Sequence, residues 1–263
     1  MSRNFELMQN LGREREMFEA ATGAAQATAA TVAPEPAMKA APAPMELQPL
    51  QLKMDASQRD EISKLVQRVF LQPGAGRGHL VVVSGMESGN GCSWICARMA
   101  EILASQVSGS VCVVDANLRT PGLHREFGVP NHYGLTDALQ VSDPIRRFVT
   151  SLSRPNLWLL SCGAEIEGMQ TMLGSERMRA LLPELQREFD YVLIDAPPMD
   201  TGEDSVVLGR HAEGIVLVLR ANSTRRESAR KAVRDLENGN VRVLGAVLNH
   251  RTFPVPESIY RKL

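Results

Sequence analysis

The sequence predicts an α/β protein built on a doubly wound, mostly parallel sheet. Three observations lead there. Apolar runs at 80–83, 111–114, 157–163, 190–194, 214–221 and 241–249 lack a polar face, the pattern of strands buried on both sides. The segments between them carry apolar residues at helical spacing, so strands alternate with helices. A glycine-rich loop at 85–91, Asp115 and Asp195 all fall at strand carboxyl ends, where ligands bind in such sheets.

Residues 1–20 carry Phe5, Met8, Leu11, Met17 and Phe18 among charged residues, an amphipathic pattern interrupted at Gly12. This segment reads either as a solvated terminus or as a docking segment for a partner. Residues 21–54 are rich in Ala, Pro and Thr and cannot bury enough apolar surface to offset ordering entropy. The expectation is a disordered N-terminal arm, with the folded domain spanning 55–263. A helix over 57–71, capped by Asp55 or Ser57, presents Ile62, Leu65, Val66, Val69 and Phe70 as one stripe. The first strand leads through the glycine loop to Ser93, which opens a helix carrying Ile95, Met99, Ile102 and Leu103. Further helices are expected at 134–139, 144–149, 175–189 and 224–237.

Composition bounds the function. The 263 residues are 44% hydrophobic with a net charge of −1, which gives no basis for nucleic-acid or membrane-surface binding. No apolar run approaches the roughly 20 residues that span a bilayer. The first residues are too charged for a signal-peptide core, so a cytoplasmic protein is expected. Cys92, Cys96, Cys112 and Cys162 lack metal-ligand spacing and read as reduced thiols.

Strand, glycine loop and helix in succession form a phosphate-binding context, because loop amides and a helix N-terminus cradle anions. On the pattern G-x-x-x-x-G-K-[ST], residues 86–93 read Met-Glu-Ser-Gly-Asn-Gly-Cys-Ser. Met86 stands at the first glycine and Cys92 at the lysine. The loop is therefore either a nucleotide cradle or a tight turn without a ligand. The Cys92 thiol, at a helix N-terminus, either has a lowered pKa and redox sensitivity or fills the lysine's space. His124 reads as a surface or hinge residue. Arg225 and Arg226 read as solvated charge, or as a phosphate contact.

Four blocks together resemble the bacterial tyrosine kinases of capsular and exopolysaccharide type, in the MinD/ParA branch of P-loop NTPases. They are the glycine loop, VVDANLRTPGLH at 113–124, VLIDAPP at 192–198 and LGAVLN at 244–249. The resemblance covers about residues 57–252 and implies ATP or ADP with Mg²⁺. It implies that Ser88, Gly89, Asn90, Gly91, Cys92, Ser93 and Trp94 hold the phosphates and Asn249 the adenine. Ser93 and Asp195 would hold Mg²⁺. Asp115 would orient or deprotonate the attacking hydroxyl, and Arg119 would face a phosphate or pair with a carboxylate. Asn117 stands where the family has a second aspartate. The family's ring-contact pattern E-x-x-R-x-x-R survives only as Glu61, Lys64 and Gln67, with Arg68 one place late. Tyr260 is the candidate phosphosite, with packing onto the sheet as the other reading. The implied partner is a membrane polysaccharide co-polymerase, met through the N-terminal segment or helix 57–71, with homo-oligomerisation also implied. The implied role is regulatory, with weak or absent phosphoryl transfer. An autokinase using arginine in place of the lysine, a positioning ATPase and a nucleotide-free scaffold are the alternatives; Glu87 stands against the ATPase.

Overall fold

The computed structural model describes residues 54–71 and 79–251. The N-terminal segment, nearly all of the linker, Arg77 and Tyr260 lie outside the described residues. Asp55 caps α1 (Ala56–Phe70) in a reciprocal box, its Oδ1 accepting from the Gln58 amide at 2.8 Å. The chain continues through β1 (His79–Gly85), α2 (Cys92–Gln106), β2 (Val111–Asp115), α3 (Leu123–Phe127) and α4 (Leu135–Gln140). Then come β3 (Thr150–Ser151), β4 (Leu157–Leu160), α5 (Glu176–Glu188), β5 (Tyr191–Ala196) and α6 (Asp204–Gly209). β6 (Gly214–Arg220), α7 (Arg226–Asn238) and β7 (Val243–Asn249) complete the described residues.

The sheet runs β3-β4-β2-β5-β1-β6-β7 and is parallel except for the short antiparallel edge β3. Strand pleat divides its side chains between two cores. Leu80, Val82, Val114, Ile194 and Leu217 face one layer, which α4, α5, α6 and α7 cover. Val81, Val83, Val113, Leu193 and Val216 face the other, with α1 and α2. Ile62, Val66 and Phe70 of α1 are buried in that second layer, each worth roughly 1.5–3 kcal/mol relative to exposure. The layer fixes α2, and α2 carries the loop.

Several expected elements differ in extent. The strand expected to reach 163 ends at Leu160, because Ser161 and Gly163 turn to meet the segment from Asn131 to Gly134. The helix expected at 144–149 is a single 3₁₀ turn at Ile145–Arg147, started by Pro144. The last strand begins at Val243, and its pairing with β6 shifts register just inside that end, between Val243 and Gly245.

Asn156 ties α2 to the sheet. Its side-chain amide donates to the carbonyls of Ala104, Val107 and Gly109 at 3.0, 3.1 and 3.2 Å, gathering the chain as it leaves α2. Asn156→Ala leaves these carbonyls short of a donor and should cost roughly 1–3 kcal/mol, read from the urea midpoint. An unchanged midpoint would refute the role given to Asn156.

Candidate functional site

Pairing of β2 with β5 sets Asp115 opposite Asp195, in register, at the carboxyl ends of adjacent strands. Residues in register share a face, about 4.8 Å apart, so the two carboxyls stand side by side. Both are fully buried. Asp115 Oδ2 accepts the amides of Gly122 at 3.0 Å and Leu123 at 2.9 Å, where α3 begins. Asp115 Oδ1 and both Asp195 oxygens have no hydrogen-bond partner among the described residues. The Ser93 hydroxyl and Cys92 thiol lie beside Asp195 and draw its pKa down, although neither closes a regular hydrogen bond.

Electrostatics follow from this placement. Burial pushes both carboxyls well above the ordinary carboxylate range, and the Asp195 charge pushes Asp115 further. No lysine or arginine is among the groups that hold either one down. Two unpaired carboxylates cannot both ionise cheaply in such a place, so they share protons unless a cation arrives. The orphaned oxygens and the Ser93 hydroxyl form a hard oxygen set. That set fits Mg²⁺, which takes one or two protein carboxylates and completes its shell with water and phosphate.

The glycine loop sits directly above. It is stapled to β6 by the Met86 amide and the Asn90 side chain, which both donate to the Val218 carbonyl, at 3.1 and 3.2 Å. Gly89 and Gly91 take φ of 80° and 81°, the left-handed region in which a side chain is strained. Ser88 and Gly89 are exposed at the loop's tip. The amides of Cys92, Ser93 and Trp94, in the first turn of α2, donate to no backbone partner among the described residues. Open amides at a helix N-terminus fit an anion.

Other expected residues fall in places the sequence did not foretell. The Cys92 thiol is pushed well above its ordinary pKa, by burial first and then by the charge of Asp195. Of the two readings of this thiol, the direction goes against the lowered, redox-sensitive one and favours a side chain that fills the lysine's space. The sulfur turns inward to the carboxylate, and that outweighs the helix terminus. Asn249 donates to the Asn90 carbonyl at 2.9 Å and lies so close to Gly91 that a Cβ there would meet its Nδ2 at 2.3 Å. It braces the loop. Arg119 is 4.0 Å from Asp204 and half exposed, which favours the carboxylate-pairing reading. Asn117 accepts from the amide and hydroxyl of Thr120, both at 3.3 Å, forming a local turn.

Sequence reasoning missed the support around the pair. A Cβ on Gly122 would lie 2.7 Å from Ser93 Oγ, so the turn after β2 closes directly on α2. Arg98, buried, holds Glu126 of α3 at 3.2 Å and lies over the Trp94 ring at 4.9 Å. Its Nη2 clamps α3, whose amides hold Asp115, while Nε and Nη1 have no hydrogen-bond partner among the described residues. The Pro121-Gly122 pair ahead of an apolar residue was the available signal for this helix start.

Comparison with known proteins places the chain. No family model matches it. It is 31% identical over 169 residues to the tyrosine-protein kinase YwqD of Bacillus subtilis, covering 64% of this chain and 71% of that one. The chain belongs to the bacterial tyrosine-protein kinases. Several longer curated members of this kinase family are matched over only 23–24% of their own length. Among solved structures, the chimerical protein CapA2B2 superposes with a TM-score of 0.69 at 22% identity, covering 78% of this chain and 88% of that one. The septum site-determining protein MinD of Pyrococcus horikoshii, complexed with Mg-ADP, reaches 0.57 at 19% identity, covering 70% and 76%. These likenesses show the P-loop NTPase fold.

The raised carboxyls have a pH signature. In the fold they keep protons that the unfolded chain has released, so stability falls as pH rises from the ordinary aspartate range through the raised native values. Asp115→Asn keeps the acceptor for Gly122 and Leu123 and removes the like charge. In metal-free buffer its stability relative to wild type should therefore grow from about pH 4 to about pH 8, by on the order of 1–3 kcal/mol. Urea denaturation at several pH values reads this directly. A wild-type advantage that widens with pH would contradict it.

Proposed function

We propose that this chain is a nucleotide-binding, tyrosine-kinase-like protein of exopolysaccharide or capsule export, in which phosphoryl transfer is weak or absent. It acts chiefly as the regulatory partner of a membrane polysaccharide co-polymerase. One observation carries the reading. The buried Asp115–Asp195 pair lies beneath the open amides of α2, and Cys92 contributes a neutral thiol where the family pattern has a lysine.

The amides of Cys92, Ser93 and Trp94 would bind phosphate oxygens, and Ser93 and Asp195 would hold Mg²⁺. The metal, when bound, supplies charge to the phosphate oxygens. Asp115, oriented by the Gly122 and Leu123 amides, would take a proton from an attacking hydroxyl. With Cys92 at the lysine position, the loop itself carries no mobile cation to follow charge onto the transferred group. Loss of one preorganised donor typically costs about 10²–10³ in rate, so binding outlives chemistry. The arginine-for-lysine reading is the less favoured, because Arg98 pairs with Glu126 and Arg119 lies beside Asp204. The names of the relatives and the Mg-ADP complex of MinD support nucleotide and Mg²⁺ as ligands. Among the described residues no helix is long and apolar enough to cross a membrane, which suits a domain that meets its membrane partner by docking.

Titration calorimetry with Mg·ATP and Mg·ADP tests the proposal. Binding should occur, Asp195→Ala should abolish it, and Cys92→Lys should raise phosphotyrosine on Tyr260 by about 10²-fold. Absence of binding at millimolar nucleotide would overturn the proposal and leave a nucleotide-free scaffold.

A further inference from the structure

Strand pleat aims the carboxyl pair at one helix. Val113 and Leu193 face the layer that holds α1 and α2. Two residues further along the same strands, Asp115 and Asp195 turn to that same face. They meet the first turn of α2 there, and two of its residues carry sulfur. Cys92 opens the helix and Cys96 follows one turn later, so both free thiols stand on the side packed against the sheet.

Two close approaches fix the first of these sulfurs beside the pair. A Cβ on Gly85, the last residue of β1, would lie 3.7 Å from the Cys92 Cβ. β1 pairs with β5 so that Val83, two residues earlier, is level with Asp195. On the other side Gly122, whose amide holds Asp115, closes on Ser93. The Cys92 thiol thus lies against Asp195, whose two buried oxygens have no hydrogen-bond partner among the described residues. Cys92 and Ser93 are half-buried, beside the exposed tip of the glycine loop, so a hydrated ion has a way in. Mg²⁺ takes oxygen donors and gains nothing from such a sulfur. Borderline and soft ions such as Zn²⁺ and Cd²⁺ accept thiolate and carboxylate together.

We propose that Cys92 sets the ion preference of this site, its Sγ and the Asp195 carboxylate together binding a thiophilic divalent cation of the Zn²⁺ class. As the metal–sulfur bond forms, the thiol proton leaves to solvent, so the sulfur binds as thiolate. Among the described residues no three Cys, His, Asp or Glu side chains converge on one point. Ser93 Oγ and water therefore complete the shell, joined by a phosphate oxygen when nucleotide is present. For that phosphate alone the inference rests on the proposed function. Mg²⁺ still binds through the oxygens, and the sulfur adds affinity only for ions that accept it. The residue that stands where the family pattern has a lysine is in this way a ligand, and not only a filler of space.

Ultraviolet difference spectra of the full chain, titrated with Cd²⁺ in thiol-free buffer with and without ADP, test it. Ligation by sulfur should give a thiolate-to-cadmium charge-transfer band. Cys92→Ser should abolish that band and lower the preference for Cd²⁺ over Mg²⁺ by at least about tenfold. Asp195→Asn should keep the thiol and weaken Cd²⁺ binding by a similar factor, while Cys96→Ser should leave the band in place. Urea midpoints show that each variant is folded. Absence of a band in the wild type under both conditions, or a band that survives in folded Cys92→Ser, would overturn the inference. The two proposals fail separately. Mg·ADP binding without a cadmium band would sink this one alone, and a band without nucleotide binding would uphold it while the proposed function fell.

Discussion

Two carboxylates held in register, buried and without a counter-ion among the described residues, are the constraint on which the rest of this structure turns. Parallel pairing of β2 with β5 leaves Asp115 and Asp195 no freedom to separate. Burial then raises the cost of charging both. The surroundings ease the cost without removing it. The amides at the start of α3 take one oxygen of Asp115, while Ser93 and Cys92 lean on Asp195. Three oxygens stay unpartnered among the described residues, a standing demand for a cation. Asn156, the Arg98–Glu126 clamp and the close approach of Gly122 to Ser93 all hold the elements that set this geometry.

On the proposed function, Cys92 changes what the site can do more than whether it can bind. The backbone that would cradle phosphate does not depend on this side chain, and the metal-facing oxygens are likewise independent of it. Transition-state charge is different, because it needs a cation that moves with the phosphoryl group. A neutral thiol turned to Asp195 cannot provide one. On the proposed function, binding and catalysis are separable at this site, and occupancy alone would be what a partner reads.

Much of this was legible in the sequence, for physical reasons. Long strands buried on both faces write themselves as unbroken apolar runs, and Asp115 and Asp195 ended two of them. Elements too short to show a period, namely β3, α3 and α6, left no such trace. The register that sets one carboxylate against the other is a tertiary fact. So is the inward turn of the Cys92 sulfur, which reverses the pKa direction that a helix N-terminus alone implies. Asn249 was recognisable as a site residue, yet its hold on the Asn90 carbonyl depends on how β7 meets the loop.

The central claim is that the carboxyl pair holds protons which a divalent cation displaces. The most direct measurement is the number of protons released when Mg²⁺ with ADP binds, from calorimetry in buffers of differing ionisation enthalpy near neutral pH. The account predicts net proton release that shrinks as pH rises through the raised carboxyl range and is reduced in Asp115→Asn. Binding with no proton release at any pH in that range would contradict it, because the pair would then be charged before the metal arrived.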